Sequence, residues 1–173
     1  MMRFIFCGFM GAGKSKLGRL CAKEMKLDFV DLDAVIVKRA GMSISEIFAD
    51  GGEARFRELE SDCLNELTSA PNRILSLGGG AIRSVEHAES LKQDNVLVWI
   101  KPRFEVILDR VLNDSRRPLV GHDPEAARLS LSALYERRVP LYATAHITFE
   151  PNPKWYPQRS AKRLSTLLKS HAL

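Results

Sequence analysis

Gly8-Phe9-Met10-Gly11-Ala12-Gly13-Lys14-Ser15 has the spacing G-x-x-x-x-G-K-S and stands directly behind the apolar run Arg3 to Cys7. That run is β-branched and aromatic and is bounded by glycine, as a buried strand is. Beyond it Leu17, Leu20, Cys21 and Met25 recur at helical intervals, which predicts a helix from about Gly13 to Met25. A strand, a glycine-rich turn and a helix N-terminus in that order make a phosphate cradle. Glycine lets backbone N–H groups converge where a Cβ would hinder, and the helix end adds partial positive charge. In such a cradle the backbone of Gly11, Ala12 and Gly13 turns inward, Lys14 bridges β- and γ-phosphate oxygens, and Ser15 ligates Mg²⁺. A chance match in a chain of this length is on the order of one in a hundred or rarer.

Working outward, strands and helices alternate. Phe29 to Leu32 reads as a second strand, Ile74 to Leu77 as a third, Asn95 to Lys101 as a fourth and His146 to Phe149 as a last one. Continuous apolarity at Val96, Leu97, Val98, Trp99 and Ile100 predicts burial on both faces. Between these lie helices over Asp33 to Ala40, ended by Gly41, and over a short run opened by the capping-box spacing Ser43-Ile44-Ser45-Glu46. Gly51-Gly52 separates that short run from a longer helix over Glu53 to Thr68. Further helices are expected over Ser84 to Lys92, Pro102 to Leu112, Pro124 to Arg138 and Arg159 to Lys169. The pattern predicts one α/β domain over residues 1–173, a parallel sheet between two helical layers.

Composition narrows the function. With 173 residues, 45% hydrophobic and 27% charged, the chain can bury a core without a disulfide or metal staple. No apolar stretch is long enough for a bilayer, and the N-terminal apolar run is shorter than a signal-peptide core, which predicts a cytoplasmic protein with no membrane partner. Cys7, Cys21 and Cys63 are odd in number and sit in apolar contexts, so they read as reduced core residues. The net charge of +5 is scattered and no RNP-type aromatic motif accompanies it, so a polyanionic small substrate rather than nucleic acid is expected, on a monomer. A GTPase would show N-K-x-D, which is absent, and a motor would need more chain. A small-molecule kinase is favoured.

The acceptor side carries the next signal. Asp31-Leu32-Asp33, Phe56-Arg57 with Glu60, Gly78-Gly79-Gly80, Arg117-Pro118-Leu119 and Arg138-Val139-Pro140-Leu141-Tyr142 resemble the shikimate kinase family in order and approximate spacing, over about Phe4 to Phe149. The resemblance implies ATP-dependent phosphorylation of the 3-hydroxyl of shikimate, with Mg²⁺ as cofactor, in aromatic amino-acid precursor synthesis. It also implies a P-loop fold of the nucleoside-monophosphate-kinase type, with five parallel strands in the order 2-3-1-4-5. Residue chemistry fits this. Shikimate has one carboxylate and three hydroxyls; Arg57 and Arg138 present paired donors suited to the carboxylate, and Asp33 suits the ring hydroxyls and the proton of the attacking one. If the strand stays extended to Asp33, Asp31 and Asp33 point the same way, with Asp31 nearer the metal. Gly78, Gly79 and Gly80 let the backbone approach the substrate.

By resemblance Glu60 orients Arg57, Phe48 and Phe56 wall the substrate pocket, Arg110 stacks on adenine, and Arg117 joins Lys14 and Asp33 in catalysis. The polar segment Asn113 to Asp123 is expected to act as a lid that brings Arg117 to the phosphates. Lys16 stands where the family usually has Thr and puts another cation near ATP. The third strand ends Ser76-Leu77-Gly78 without an Asp, a trait shared by the family that moves metal duty to Asp31. Pro151 to Pro157 does not align with the family's adenine loop. Plainer readings stand beside these: Asp31 and Asp33 also suit helix caps, Arg57 and Glu60 a surface ion pair, and Phe48 and Phe56 the core. The rival functions are another small P-loop kinase, such as a gluconate kinase, and a non-catalytic nucleotide-binding module. Both lack a reason for the acceptor-side set.

Overall fold

The structure, a computed structural model, describes residues 3–113 and 124–171. Five parallel strands, β1 (Arg3–Cys7), β2 (Asp28–Asp31), β3 (Arg73–Ser76), β4 (Val96–Ile100) and β5 (Ile147–Phe149), pair in the order β2-β3-β1-β4-β5. Around them lie α1 (Lys14–Met25), α2 (Leu32–Ala40), α3 (Ile44–Ser69), α4 (Val85–Lys92), α5 (Phe104–Leu112), α6 (Pro124–Tyr142) and α7 (Pro157–His171). The expected α/β architecture and strand order are therefore both present.

The two-residue period of a strand sorts β1 into two cores. Phe4 and Phe6 face α1 and α7, where they pack with Leu17, Cys21, Met25, Leu164 and Leu168. Ile5 and Cys7 face the other layer, with Leu32, Ile36, Ile47, Leu59, Cys63 and Trp99. Each fully buried side chain of this size contributes about 1.5–3 kcal/mol. The three cysteines are buried and free, and burial pushes the Cys7 thiol up to about 12 and the Cys21 thiol up to about 11. None is a reactive thiolate at neutral pH. Among the described residues no helix is long and apolar enough to cross a membrane.

Among the boundaries that differ from the sequence expectation, three bear on the site. Extension stops at Asp31, which becomes the N-cap of α2, so the helix begins at Leu32 rather than at the expected Asp33, and the condition that the strand stay extended to Asp33 is not met. Helix α5 starts at Phe104, because Arg103 takes extended dihedrals at its N-cap and leaves Pro102 outside. Helix α6 runs through Pro140 to Tyr142 instead of ending near Arg138. The Gly51-Gly52 break is seen as a kink at Gly52 (φ 66°, ψ −166°) inside α3. The lid segment and its Arg116 and Arg117 lie outside the described residues from position 114 onward.

Candidate functional site

A cleft of about 1090 Å³ lies at the C-terminal ends of the strands. Every strand feeds it: Met10 to Lys16 follow β1, Asp31 ends β2 with Asp33 behind it on α2, Leu77 to Gly80 follow β3, Pro102 and Arg103 follow β4, and Pro151 to Pro153 follow β5. Open parallel sheets bind ligands at this edge because the loops and helix N-termini all converge there. The first loop takes left-handed dihedrals at Gly11 (φ 75°) and Gly13 (φ 90°), which a side chain would strain. Helix α1 has no side-chain N-cap and no acid in its first turn, so its leading N–H groups are turned to the cleft without an internal anion.

The charged groups of this half are close together. Lys14 is buried, and its Nζ donates to the carbonyls of Gly8 (2.8 Å) and Phe9 (2.9 Å). Ser15 Oγ donates to Asp31 Oδ2, while the other oxygen of Asp31 accepts from the Ala34 N–H at 3.4 Å. Asp31 thus both caps α2 and meets the phosphate loop. Arg110 Nη1 donates to the Gly11 carbonyl at 3.0 Å, which lays its side chain over the loop. Lys16 is exposed at the cleft rim. Trp155 lines the same half, with the guanidinium of Arg159 over its ring at 4.4 Å.

One oxygen pair here suits a hard divalent cation. Among the described residues no three His, Cys, Asp or Glu side chains form a metal cage. The Ser15 hydroxyl touching a single carboxylate is instead the sparse donor set that Mg²⁺ takes when phosphates and water complete its shell.

The acceptor half is organised on Gly78, Gly79 and Gly80. A Cβ on Gly78 would lie 2.7 Å from Asp33 Oδ1, one on Gly79 3.4 Å from Arg138 Nη1, and one on Gly80 3.1 Å from Arg138 Nη2 and 3.2 Å from Arg57 Nη2. The glycine run is thus the floor on which one carboxylate and two guanidiniums meet. Arg138 Nη1 is buried without a hydrogen-bond partner among the described residues, and its guanidinium lies over the Phe9 ring at 5.6 Å. A buried charge-bearing donor left open is costly unless a ligand answers it. Burial opposes the charge of Arg57, yet its bonds to Glu60 and Glu53 outweigh this and raise its pKa above the usual value. Phe48 stacks on Phe56 at 4.9 Å, both lining the cleft; Phe56 is buried and Phe48 is 41% exposed. Phe56 therefore serves the core and the wall together.

All described members of the sequence-derived set line this cleft: Gly11, Ala12, Gly13, Lys14, Ser15, Lys16, Asp31, Asp33, Arg57, Gly78, Gly79, Gly80, Arg110 and Arg138. Two contributors were missed. Glu53 accepts from Arg57 Nε and Nη2, both at 3.2 Å, and its position four residues before Arg57 was the available signal. Tyr142 donates to the Gly79 carbonyl at 2.5 Å, fixing the glycine floor, and burial pushes its phenol well above the usual tyrosine range.

Comparison with known proteins agrees with this geometry. The family model described as "Shikimate kinase" matches residues 10–168. The chain is 39% identical over 167 residues to the shikimate kinase of Psychrobacter cryohalolentis, covering 96% of this chain and 88% of that one. It is 40% identical over 148 residues to that of Geobacter sulfurreducens, covering 84% and 80%. Among solved structures it is similar to the shikimate kinase from Acinetobacter baumannii in complex with shikimate, at TM-score 0.87 and 36% identity, covering 100% of this chain and 96% of that one. The Bacteroides thetaiotaomicron shikimate kinase gives TM-score 0.86 and 32% identity, covering 97% and 98%. With a phosphate loop, a clustered Asp33, Arg57 and Arg138, and relatives matched along nearly their whole length, the chain belongs to the shikimate kinase family.

Proposed function

We propose that this protein transfers the γ-phosphoryl group of ATP to the 3-hydroxyl of shikimate. The observation that carries the reading is the meeting of Asp33, Arg57 and Arg138 on Gly78 to Gly80, with the Arg138 Nη1 donor buried and open, in the same cleft as the phosphate loop. Two cations and one carboxylate complement a hydroxylated ring acid, with the arginines toward its carboxylate and Asp33 toward its hydroxyls. The combined Asp-x-Asp, Phe-Arg and Gly-Gly-Gly set favours shikimate over the acceptor of another small P-loop kinase such as a gluconate kinase, and a silent nucleotide-binding module has no use for it.

In this reading the N–H groups of Gly11, Ala12 and Gly13 hold the β-phosphate. Lys14 exchanges its carbonyl partners for β- and γ-phosphate oxygens, and Lys16 and Arg110 add charge and a flat guanidinium at the nucleotide end. Ser15 and Asp31 would hold Mg²⁺, which when bound neutralises phosphate charge. Asp33 accepts the proton of the attacking hydroxyl as the oxygen–phosphorus bond forms and the bond to ADP breaks, a role worth about 10²–10⁴-fold in rate. Arg117, from its Arg-Pro-Leu setting, is assigned to the charge on the transferring group.

ADP release measured with shikimate, gluconate, adenylate or no acceptor tests the reading. Strong stimulation by shikimate alone is expected. Equal stimulation by gluconate or adenylate would refute it.

A further inference from the structure

Arg57 presents its N–H groups in a fixed fork, and a carboxylate is gripped at two points only where two parallel N–H groups share one edge. Here Nη1 is committed to Glu60 at 2.6 Å and to the Gly80 carbonyl at 3.2 Å, and the Glu60 side chain is only 4% exposed. That leaves the Nη1–Nη2 end of the fork with no two-point grip to offer. The remaining edge, Nε with Nη2, is covered by a single oxygen, Glu53 Oε1, which lies 3.2 Å from both nitrogens. A second carboxylate can take Arg57 at two points only by moving Glu53.

Glu53 is poised to move. Its side chain is 69% exposed, it opens the helical run just after the Gly52 kink, and its two bonds sit at the long end of the N–H···O range. Loss of an exposed pair of this kind shifts an equilibrium about two- to fivefold. Orientation of Arg57 does not depend on it, because buried Glu60 and the Gly80 carbonyl already fix the other end of the guanidinium. What Glu53 adds is a second negative charge on one guanidinium, on the edge whose Nη2 lies beside the Gly80 floor.

We infer that Glu53 is an internal stand-in for the acceptor's carboxylate: it holds the Nε–Nη2 edge of Arg57 until that carboxylate displaces it, and so sets the affinity of the acceptor site. The inference rests on the assignment of Arg57 to the acceptor's carboxylate. Glu53 acts through Arg57 and is a positioning residue. Its displacement is the same cost for every ligand that takes this edge, and no cost for a ligand without a carboxylate.

The test compares Glu53→Gln and Glu53→Ala with the unaltered protein and with Glu58→Gln, an exposed carboxylate of the same helix paired with Arg55. Shikimate turnover is measured at saturating ATP and Mg²⁺. Binding of cyclohex-1-enecarboxylate and of the methyl ester of shikimate is measured by calorimetry. Both Glu53 variants should lower the KM for shikimate about two- to fivefold, with kcat and the KM for ATP within about twofold. Cyclohexenecarboxylate should bind more tightly by the same factor, the ester should be unaffected, and Glu58→Gln should change nothing. A raised KM in the Glu53 variants would mean that Glu53 orients Arg57, an equal gain for the uncharged ester would mean that the gain does not run through a carboxylate grip, and an equal gain in Glu58→Gln would mean a general charge effect; any of these overturns the inference. If the unaltered protein fails to phosphorylate shikimate, the proposed function falls first, and the inference with it.

Discussion

Gly80 shows how much of the acceptor site hangs on a single missing Cβ. Its neighbours at 3.1 and 3.2 Å are the ends of two guanidiniums, and its backbone is outside the left-handed region, so alanine fits the chain but crowds both arginines. Gly80→Ala should raise the KM for shikimate on the order of tenfold to a hundredfold while the melting temperature and the KM for ATP stay close to those of the parent. Steady-state kinetics with a thermal melt checks this, and an unchanged KM for shikimate would remove the arginines from the acceptor's carboxylate. Asp33→Asn should reduce turnover by about 10²–10⁴-fold with ATP–Mg²⁺ affinity preserved in calorimetry. Parallel loss of nucleotide affinity would move Asp33 to the metal side. That Lys14 and Ser15 line the cleft was legible from the phosphate-loop motif, and Asp33, Arg57 and Arg138 came with the family resemblance. The orientation of Asp33 was not, because strand or helix at Leu32 depends on Asp31 capping the Ala34 N–H, and spacing alone does not show that. Glu53 was hidden for a similar reason: Glu60, three residues after Arg57, is an equally good partner on paper, and only geometry shows both bonds made.

At the scale of elements, α7 is held by its inner face rather than by charge. Leu164 is fully buried against α1 and the sheet, with Ala161 and Leu168 on either side. Leu164→Ala should cost about 2–5 kcal/mol in urea unfolding; a loss below that range would mean the helix collapses onto the cavity. The β4–β5 junction carries a pH dependence. The Leu97 N–H donates to His146 Nδ1 at 3.1 Å, a bond that only the neutral ring accepts. Burial first, then the Lys92 ammonium, hold the His146 pKa below its ordinary 6.5, with Glu89 opposing. Its contribution to stability is therefore complete above about pH 6.5 and is lost as pH falls through the lowered folded value. Urea unfolding between pH 5 and 7 should show the parent losing stability with acid more steeply than His146→Gln; equal slopes would contradict the assignment. Helix existence was readable wherever a cap was spelled out, as in Ser43 to Glu46, where both capping-box bonds form. Ends near proline were not, since Pro102 stays outside α5 while Pro140 is carried inside α6, and neighbouring packing decides such cases.

For the whole molecule, the parallel sheet was legible because helices separate the strands and the run Val96 to Ile100 is continuously apolar; the sorting of β1 between two cores shows only in the packing. Strand order is not written in periodicity; it came with the family resemblance and is what places Asp31, Gly78 to Gly80 and the phosphate loop on adjacent strands β2, β3 and β1. That adjacency makes the central claim a statement about one molecule of product: Asp33 and the phosphate loop must meet at a particular hydroxyl while the arginines hold the carboxylate. The most direct measurement is ³¹P and ¹³C NMR of the product formed from ATP and shikimate, with ADP quantified in the same sample. The account predicts shikimate 3-phosphate in one-to-one ratio with ADP. Phosphate on another hydroxyl, or ADP accompanied only by inorganic phosphate, would contradict it.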